Sequence, residues 1–393
     1  DYLDLLDQCR DTKRSPQQLQ QLNAYGLIDD CPLPSDKLKC KQLWDYCRYV
    51  AGASIQAATL LFKHDIDHDH DHLHMHHHQV AINWGGGRHH AHENVAGGFC
   101  YINDVVLAIQ QFILREKRVL YLDIDIHHAD GVQSAFYDTD QVMTVSVHRH
   151  APGFFPSASG AANEKGKYGT KGMGYNSNIV LPKHCGDNQM IPIVYETLTR
   201  LSASFAPDVV VLCVGADGLR NDPLVGQADG WNLTPEGLAE CVRLAAIHCS
   251  EKQQKLLVLG GGGYHPSETA RTFLLCTAAA CEGARPGMLW NDLPKDIPPH
   301  EHFPRYGPEF RLVGEKPTYD LLLRTDISTD ETVRRAVKEV QLTALYIQSQ
   351  REKENRVINF DGGNNDQDDA FAHEVVVMSK KKTGKGRRRR RVR

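Results

Sequence analysis

The segment between Val119 and Gly131 places ionisable side chains directly after an apolar, β-branched run. The run from Val119 to Ile126 is typical of a buried strand in a parallel sheet. Three aspartates and two histidines lie between residues 123 and 130. Unpaired charges at the end of a core strand are costly, so a cation or a set of hydrogen bonds must compensate them. This segment therefore constrains both the fold and the chemistry of the chain.

Two of these side chains are predicted to share one face of the strand. Side chains alternate with a period of two, so Asp125 and His127 point the same way, with Asp123 one step deeper. The pair predicts half of a zinc site, because a carboxylate oxygen and an imidazole nitrogen are both zinc ligands. Taken alone, the segment also fits a polar strand end in a loop.

The composition indicates a protein with a large core in a reducing compartment. The chain has 393 residues, of which 41% are hydrophobic and 24% charged. No apolar run approaches the roughly 20 residues that span a bilayer. The 11 cysteines include no C-x-x-C pair, and most lie in apolar runs. That distribution favours buried thiols over disulfides.

The net charge of −4 is unevenly distributed along the chain. Residues 380–393 carry ten lysines and arginines and no acid, which leaves −14 on residues 1–379. We expect a domain over residues 1–350 and a disordered tail with a basic C-terminus over residues 351–393. Such a basic run favours nuclear import or contact with a nucleic-acid backbone, and a solvated tail without either role is the alternative.

A histidine- and aspartate-rich tract occupies residues 64–78, with the sequence HDIDHDHDHLHMHHH. The low complexity of this tract predicts a disordered insertion between a helix and the next strand. Metal binding by the tract is the alternative interpretation. Since its histidines have no fixed geometry, we expect it to be separate from any catalytic site.

Strands and helices alternate along the rest of the chain, which predicts an α/β fold with a mostly parallel sheet flanked by helices. Residues 157–178 are rich in Gly, Ser and Asn and are predicted to be mostly loop. The chemically suggestive residues follow predicted strands, at 85–90, 125–130, 215–217 and 260–264. Because ligands bind at the carboxyl edge of such sheets, we expect these loops to form one site.

The side chains in these loops predict metal-assisted hydrolysis of an amide-type bond. Three protein ligands leave an open coordination position, as in catalytic zinc sites. A metal there polarises a carbonyl, histidines serve as acid and base, and a hydroxyl stabilises the developing oxyanion. The candidates are Asp125, His127 and Asp217 as ligands, His89 and His90 as acid and base, Asp130 and Asp123 as their orienting partners, and Tyr264 as hydroxyl donor.

Taken as a set, these residues make the chain resemble the zinc-dependent histone deacetylases, most closely class I. The resemblance covers roughly residues 25–350, with the motifs in family order and at family spacing. The matching runs are Asn83 to Ala91, Gly98 to Asp104, Leu122 to Gly131, Met143 to His148, Gly153 to Pro156, Gly215 to Asp217 and Gly260 to Tyr264.

The resemblance implies a single domain of the arginase/deacetylase type that holds catalytic zinc and also potassium. It implies zinc on Asp125, His127 and Asp217. It makes His90, paired with Asp130, the general base and acid, His89, backed by Asp123, the electrostatic partner, and Tyr264 the group that polarises the acetyl carbonyl. It places potassium near Asp123, Asp125, His127, Ser146 and Val147.

The resemblance also implies a substrate channel, partners and a location. Phe99 and Phe155 would flank a tunnel for the acetyl-lysine stem, with Gly98 and Leu224 in its wall, and Asp30 would hold the substrate backbone at the rim. An apolar stem with a polar tip suits aromatic walls above a metal. Acetylated histone tails and corepressor subunits are the expected partners. Chromatin repression in the nucleus, with a further presence in the cytoplasm, is the expected setting.

Three features depart from the family pattern. Family members begin with a strand and helices that precede the position of Asp1, so we expect the N-terminal part of the fold to be missing. Ala129 replaces a usual glycine and would carry strain if the site needs a positive φ angle. Residues Asp222 to Trp231 form a longer segment than usual after the third zinc ligand, so the rim there is expected to differ.

Other functions are compatible with parts of this pattern. A deacetylase for small substrates such as acetylpolyamines would use the same machinery behind an acidic, restricted entrance. A catalytically inactive corepressor scaffold would fit a missing N-terminal segment, although the complete set of candidate residues argues against it. A binuclear manganese hydrolase of the arginase type would need more carboxylates near Asp125 than the sequence offers.

Overall fold

The computed structural model describes residue 2 and residues 16–28, 31–33, 37–62, 79–284, 293–314 and 330–360. Asp30, the histidine-rich tract at 64–78 and the basic run at 380–393 lie outside the described residues. The chain divides into one unit that ends at Gln348 and a second that begins at Ser349. A search of the described helices finds none with the length and apolar character of a membrane span.

Within the described residues, six strands form one sheet in which every neighbouring pair is parallel. The spatial order is β1-β6-β5-β2-β3-β4, so β2 lies inside the sheet. In chain order the strands are β1 (Val80–Asn83), β2 (Val119–Asp123), β3 (Val142–Arg149), β4 (Asn176–Leu181), β5 (Val209–Cys213) and β6 (Lys255–Leu259). The predicted parallel sheet is therefore confirmed.

Helices cover both faces of this sheet, as the alternating pattern predicted. A 3₁₀ turn at Phe303–Tyr306 lies between the last two helices of the chain that the structure describes. In chain order the helices are α1 (Pro16–Ala24), α2 (Lys37–Leu60), α3 (Asp104–Ile113), α4 (Asp130–Ala135), α5 (Asp187–Phe205), α6 (Gly226–Asp229), α7 (Pro235–Lys252), α8 (Pro266–Ala284) and α9 (Glu331–Phe360).

The core has two layers, one on each face of the sheet. Leu120 and Leu122 of β2 point to the layer formed with α5, α7, α8 and α9. Val119 and Tyr121 point to the opposite layer, formed with α2, α3 and α4. All five residues of β2 are buried, because a central parallel strand is covered on both faces. Burial of this kind explains why the strand sequence is a continuous apolar run.

The start of α3 is fixed by its own sequence. The side chain of Asn103 accepts a hydrogen bond from the amide of Val106 at 3.0 Å and so caps the helix. The same side chain donates to the carbonyl oxygen of Ala91 at 2.8 Å. Asn103 therefore ties the first turn of a core helix to the loop that carries the two adjacent histidines.

The strand β4 was not predicted, because its first residues lie in a segment that the sequence assigned to loop. Its asparagines are polar but buried, and they find partners far away in the chain. The side-chain amides of Asn176 and Asn178 both donate to Oε1 of Gln133 at 2.9 Å. Polar side chains can fill a buried strand when such bonds satisfy them, and these pairs are not visible in the local sequence.

Ala129 shows none of the strain that a left-handed conformation would impose. Its φ angle is −77° and its ψ angle 60°, the angles of an inverse γ-turn, so φ is negative and glycine is not required. Its side chain is 1% exposed and packs in the layer that contains Val132 and Phe136. The alanine at this position is therefore compatible with the backbone.

We expect the substitution Ala129→Gly to destabilise the protein by about 1–2 kcal/mol, from greater freedom of the unfolded chain and loss of a buried methyl group. Ala135→Gly is a matched control, since Ala135 is an exposed residue of α4 and should cost less. Denaturant unfolding would measure both changes. A more stable Ala129→Gly protein would show that the alanine is strained after all.

Candidate active site

The carboxyl ends of β1, β6, β5 and β2 lie side by side at one edge of the sheet. The polar segments at 85–90, 260–264, 215–217 and 124–130 follow these four strands directly. Strands that are parallel and adjacent bring their following loops together, which is why residues far apart in sequence meet here. This edge holds the candidate site.

The backbone after β2 is shaped by the aspartates themselves. The amide of Asp125 donates to Oδ1 of Asp123, and the amide of His127 donates to Oδ1 of Asp125, both at 2.8 Å. Such local bonds compete with the sheet ladder, and β2 ends at Asp123. The prediction of a strand as far as Ile126 is therefore wrong over its last three residues. Two successive aspartate turns, rather than strand alternation, bring Asp125 and His127 together.

Asp125, His127 and Asp217 form a buried cluster of potential metal ligands. Nδ1 of His127 lies 2.8 Å from Oδ2 of Asp217 and 3.2 Å from Oδ1 of Asp125. One donor atom from each side chain lies within 4.8 Å of the other two. The two carboxylates are fully buried and the imidazole is 10% exposed, so an ion here would be reached from one side only.

Glycines allow the backbone to approach these carboxylates. A Cβ atom at Gly215 would lie 2.2 Å from Oδ2 of Asp125, and one at Gly262 would lie 2.2 Å from Oδ2 of Asp217. The amide of Gly262 instead donates to Oδ2 of Asp125 at 2.7 Å. The glycine run after β6 therefore has two roles. It turns the chain towards Tyr264, and it holds the carboxylate of Asp125 in place.

The protonation of Asp125, His127 and Asp217 indicates a site for a cation. Burial and the adjacent Asp125 raise the pKa of Asp217 to about 7. Burial alone would lower the pKa of His127, but Asp125 and Asp217 outweigh it and raise that pKa to about 10. The cluster thus holds protons that a divalent metal would displace. Two carboxylate oxygens and one imidazole nitrogen fit zinc and leave an open position.

Two adjacent histidines face this cluster, and each has its own carboxylate. Nδ1 of His89 donates to Oδ2 of Asp123 at 2.8 Å, and Nδ1 of His90 donates to Oδ1 of Asp130 at 2.7 Å. The ring centroids of the two histidines are 4.0 Å apart. These bonds fix Nδ1 as the donor in both rings, and Nε2 of His89 lies 4.0 Å from Oδ1 of Asp125.

The two histidines differ in protonation because their neighbours differ. Burial would lower the pKa of His89, but Asp123 and Asp125 outweigh it and raise that pKa to about 9. Burial and the charge of His89 lower the pKa of His90 to about 4, against the effect of Asp130. A neutral His90 can accept a proton, whereas a charged His89 can stabilise negative charge.

Tyr264 is held at the site by a residue that the sequence did not single out for this role. The amide of Tyr264 donates to Oδ2 of Asp222 at 2.7 Å, and the amide of Leu224 donates to Oδ1 at 2.9 Å. Burial, with Asp217 and Asp125 nearby, raises the pKa of the Tyr264 hydroxyl, which therefore stays a donor. Only the Asn221-Asp222-Pro223 turn hinted at Asp222, and its bond to Tyr264 is long-range.

A second residue that the sequence did not assign to the site supports the loop that carries His89 and His90. Asp104 is fully buried and accepts the amides of Gly87 at 3.0 Å and Arg88 at 2.7 Å. The hydroxyl of Ser54 donates to the same carboxylate. Asp104 lies within a motif that the sequence identified. Its bonds to the loop depend on the long-range packing of α3 beside residues 85–90, which the local sequence does not indicate.

Aromatic side chains surround the mouth of the site. Phe155 packs edge-on against His90 with ring centroids 4.9 Å apart, and Phe99 lies 5.9 Å from the ring of Tyr264. Gly98 has a φ angle of 50°, and a Cβ there would lie 2.4 Å from the ring of His90. Phe99 is 53% exposed and Leu224 48%, so they line an opening rather than the core.

The predicted catalytic, metal-ligating and aromatic residues within the described chain thus come together. Ser146 pairs with Asp123 across β2 and β3, while its hydroxyl bonds to Nδ1 of His148 at 2.9 Å. Asp30 lies outside the described residues. The assembled groups offer a metal position, a proton acceptor, a cationic neighbour and a hydroxyl donor, which suits hydrolysis of an amide.

Comparison with known proteins agrees with this geometry. The family model for the histone deacetylase domain matches residues 1–280. Histone deacetylase 8 of Xenopus laevis is 38% identical over 293 residues, covering 73% of this chain and 77% of its own length. Histone deacetylase 6 of Arabidopsis thaliana is 35% identical over 350 residues, covering 88% of this chain and 65% of its own length.

A human relative is similar over a smaller share of its own length. Histone deacetylase 1 of Homo sapiens is 34% identical over 315 residues, which are 79% of this chain and 57% of that protein. The family match supports the arginase/deacetylase type of fold for the six-stranded sheet. From the site geometry and these matches together, we conclude that the chain belongs to the histone deacetylase family.

Proposed function

We propose that the protein is a zinc-dependent hydrolase that removes the acetyl group from acetyl-lysine in histone tails and other proteins. Family membership supports deacetylase activity in general. The observation that carries the finer proposal is the proximity of His90 to the ligand cluster, with the rings of His90 and His127 6.0 Å apart. A proton acceptor beside a metal position is the arrangement that amide hydrolysis needs.

Asp125, His127 and Asp217 would hold the zinc ion. When bound there, zinc supplies Lewis-acid chemistry that polarises a carbonyl. His90 takes a proton from the attacking water and later gives it to the lysine amine as the carbon–nitrogen bond breaks, leaving acetate. Asp130 keeps Nε2 of His90 directed at the substrate through its bond to Nδ1. Potassium is proposed for the neighbouring Asp123, Asp125, His127, Ser146 and Val147.

Negative charge develops on the carbonyl oxygen during attack. The hydroxyl of Tyr264 donates a hydrogen bond to this oxygen, and its raised pKa keeps the proton on the tyrosine. His89, held cationic by Asp123 and Asp125, stabilises charge in the same region. The apolar lysine stem lies between Phe99 and Phe155, with Gly98 and Leu224 beside it and Asp30 proposed at the rim.

We infer a role in chromatin repression in the nucleus, with corepressor subunits as partners and a further presence in the cytoplasm. The names of the relatives support the histone substrate. The basic run at 380–393 supports nuclear import and contact with nucleic acid. The complete cluster, histidine pair and Tyr264 favour an enzyme over an inactive corepressor scaffold, and a small-substrate deacetylase remains the competing enzyme.

The first test is deacetylation of an acetyl-lysine histone-tail peptide by the purified protein, with and without a zinc chelator. We expect turnover that the chelator abolishes, and neither zinc binding nor turnover in Asp217→Ala. Asp138→Ala, an exposed aspartate, is the matched control and should behave as the native protein. Chelator-resistant turnover would contradict zinc dependence. Faster turnover of acetylspermidine than of the peptide would favour the small-substrate alternative.

Tyr264→Phe should retain zinc but lose turnover by a factor of about 10² to 10³, since loss of one oxyanion donor costs about 2.7–4 kcal/mol. Tyr168→Phe provides the control, because Tyr168 is 91% exposed. Steady-state kinetics together with zinc content would separate the two effects. Near-normal turnover in Tyr264→Phe would remove this hydroxyl from the mechanism.

Deletion of residues 380–393 should reduce nuclear accumulation and weaken DNA binding at low salt, because the segment carries ten positive charges. Peptide deacetylation should be unchanged by the deletion. Cell imaging of the tagged protein and DNA retention over a salt gradient are the measurements. If both stay at the native level, the tail has neither role.

A further inference from the structure

The ring of His127 is held by stacking rather than by an outer hydrogen bond. It lies parallel to the ring of Phe154 within 15°, with centroids 5.2 Å apart. Histidines that bind metals ordinarily donate their second ring N–H to a carboxylate or carbonyl, which fixes the ring. Among the described residues, the hydrogen bonds to the His127 ring all involve Nδ1. Once Nδ1 binds a metal in place of these two bonds, the stacking on Phe154 is the contact left to orient the ring.

Phe154 is in turn covered by a fixed cation. The guanidinium carbon of Arg149, the last residue of β3, lies 4.7 Å from the centroid of the Phe154 ring. The Arg149 side chain is only 10% exposed. A guanidinium stacks on an aromatic face through both its charge and its planar shape, so its own orientation decides where the ring can lie.

Asp229 fixes the plane of that guanidinium with two hydrogen bonds. Nε of Arg149 donates to the backbone oxygen of Asp229, and Nη2 donates to its Oδ1, both at 2.6 Å. A fork of two bonds sets the orientation of arginine in a way that a single contact does not. The carboxylate of Asp229 is 57% exposed, so its charge stays hydrated while its geometry is kept.

The backbone that presents Asp229 is itself anchored. Asp229 ends α6, and the next residue, Gly230, accepts a hydrogen bond from the amide of His184 at 2.8 Å. Trp231 is 1% exposed and donates from its indole to the carbonyl of Pro182 at 3.0 Å. The segment from Asp222 to Trp231 therefore provides a fixed support for Arg149.

We propose that Arg149 and Asp229 are positioning residues that, through Phe154, hold the His127 ring in the orientation required for metal binding. The proposal rests on the proposed function, since it takes His127 as a zinc ligand. The segment from Asp222 to Trp231 then supports the site at both ends. Asp222 holds the backbone of Tyr264, and Asp229 acts on His127.

The test measures the zinc dissociation constant by competition with a chromophoric chelator, and the visible spectrum of the Co²⁺-substituted protein. Arg149→Met removes the charge and both bonds but keeps an unbranched apolar stem. We expect zinc affinity to fall about 10-fold, at the lower end of the range for groups that orient metal ligands. The Co²⁺ bands should change, because they report the geometry of the ligands.

Two further variants grade the effect. Asp229→Asn keeps the backbone acceptor, so a smaller loss of about 3-fold is expected. Arg149→Lys keeps a cation near Phe154 without the fork and should lie between native and Arg149→Met. Arg334→Met is the matched control, because it breaks an exposed arginine–glutamate pair within α9, and its zinc affinity should stay within about twofold of native.

Native zinc affinity and an unchanged Co²⁺ spectrum in Arg149→Met would overturn the proposal, even if the melting temperature fell. That result would leave Arg149 with a structural role only. Should Arg149→Met not fold, Arg149→Lys and Asp229→Asn decide by the same criterion. A native protein that binds no zinc would overturn the proposed function as well, so the two failures are distinguishable.

Discussion

The interaction on which this structure depends is the compensation of buried carboxylates at the end of β2. Asp123, Asp125 and Asp217 are almost completely removed from water, and an isolated ionised carboxylate in such surroundings is strongly unfavourable. Each one instead accepts hydrogen bonds from backbone amides or histidines. The backbone amides are fixed by the sheet and the glycine run, so the fold supplies most of the compensation, and the proposed metal ion would complete it.

This requirement explains why the site lies where it does. A parallel sheet gathers the carboxyl ends of adjacent strands at one edge, and only there can amides from several loops converge on the same carboxylate. The amide of Gly262, which follows β6, reaches Asp125, which follows β2, across the intervening strand β5. A side chain at Gly262 or Gly215 would prevent that approach. The glycines are therefore part of the electrostatic arrangement and not merely places where the chain turns.

The sequence predicted the sheet and the main site residues for a common physical reason. Apolar runs that end in charged or glycine-rich segments are improbable in a core unless the charges take part in binding or chemistry. The site residues at the ends of β2, β5 and β6 could therefore be recognised from the local sequence. The positioning residues were not predictable in this way. Asp222, Phe154 and Asp229 lie in segments that the sequence marked, but their contacts are with residues distant in sequence, and no local pattern indicates those contacts. The missed strand β4 has the same cause, since Gln133 makes its buried asparagines acceptable.

The histidine pair shows how a difference in chemistry arises from nearly identical local sequence. Both residues follow the same glycine run, both are buried, and both donate from Nδ1 to an aspartate. His89, however, lies near Asp123 and Asp125, whose charges outweigh burial, whereas for His90 burial and the adjacent charged His89 outweigh Asp130 and Asp125. The positive charge of His89 opposes protonation of His90, because two adjacent imidazolium ions in a buried site would repel each other strongly. Asp125 thus helps to keep His89 charged, and burial together with the charge of His89 keeps His90 neutral and able to accept a proton.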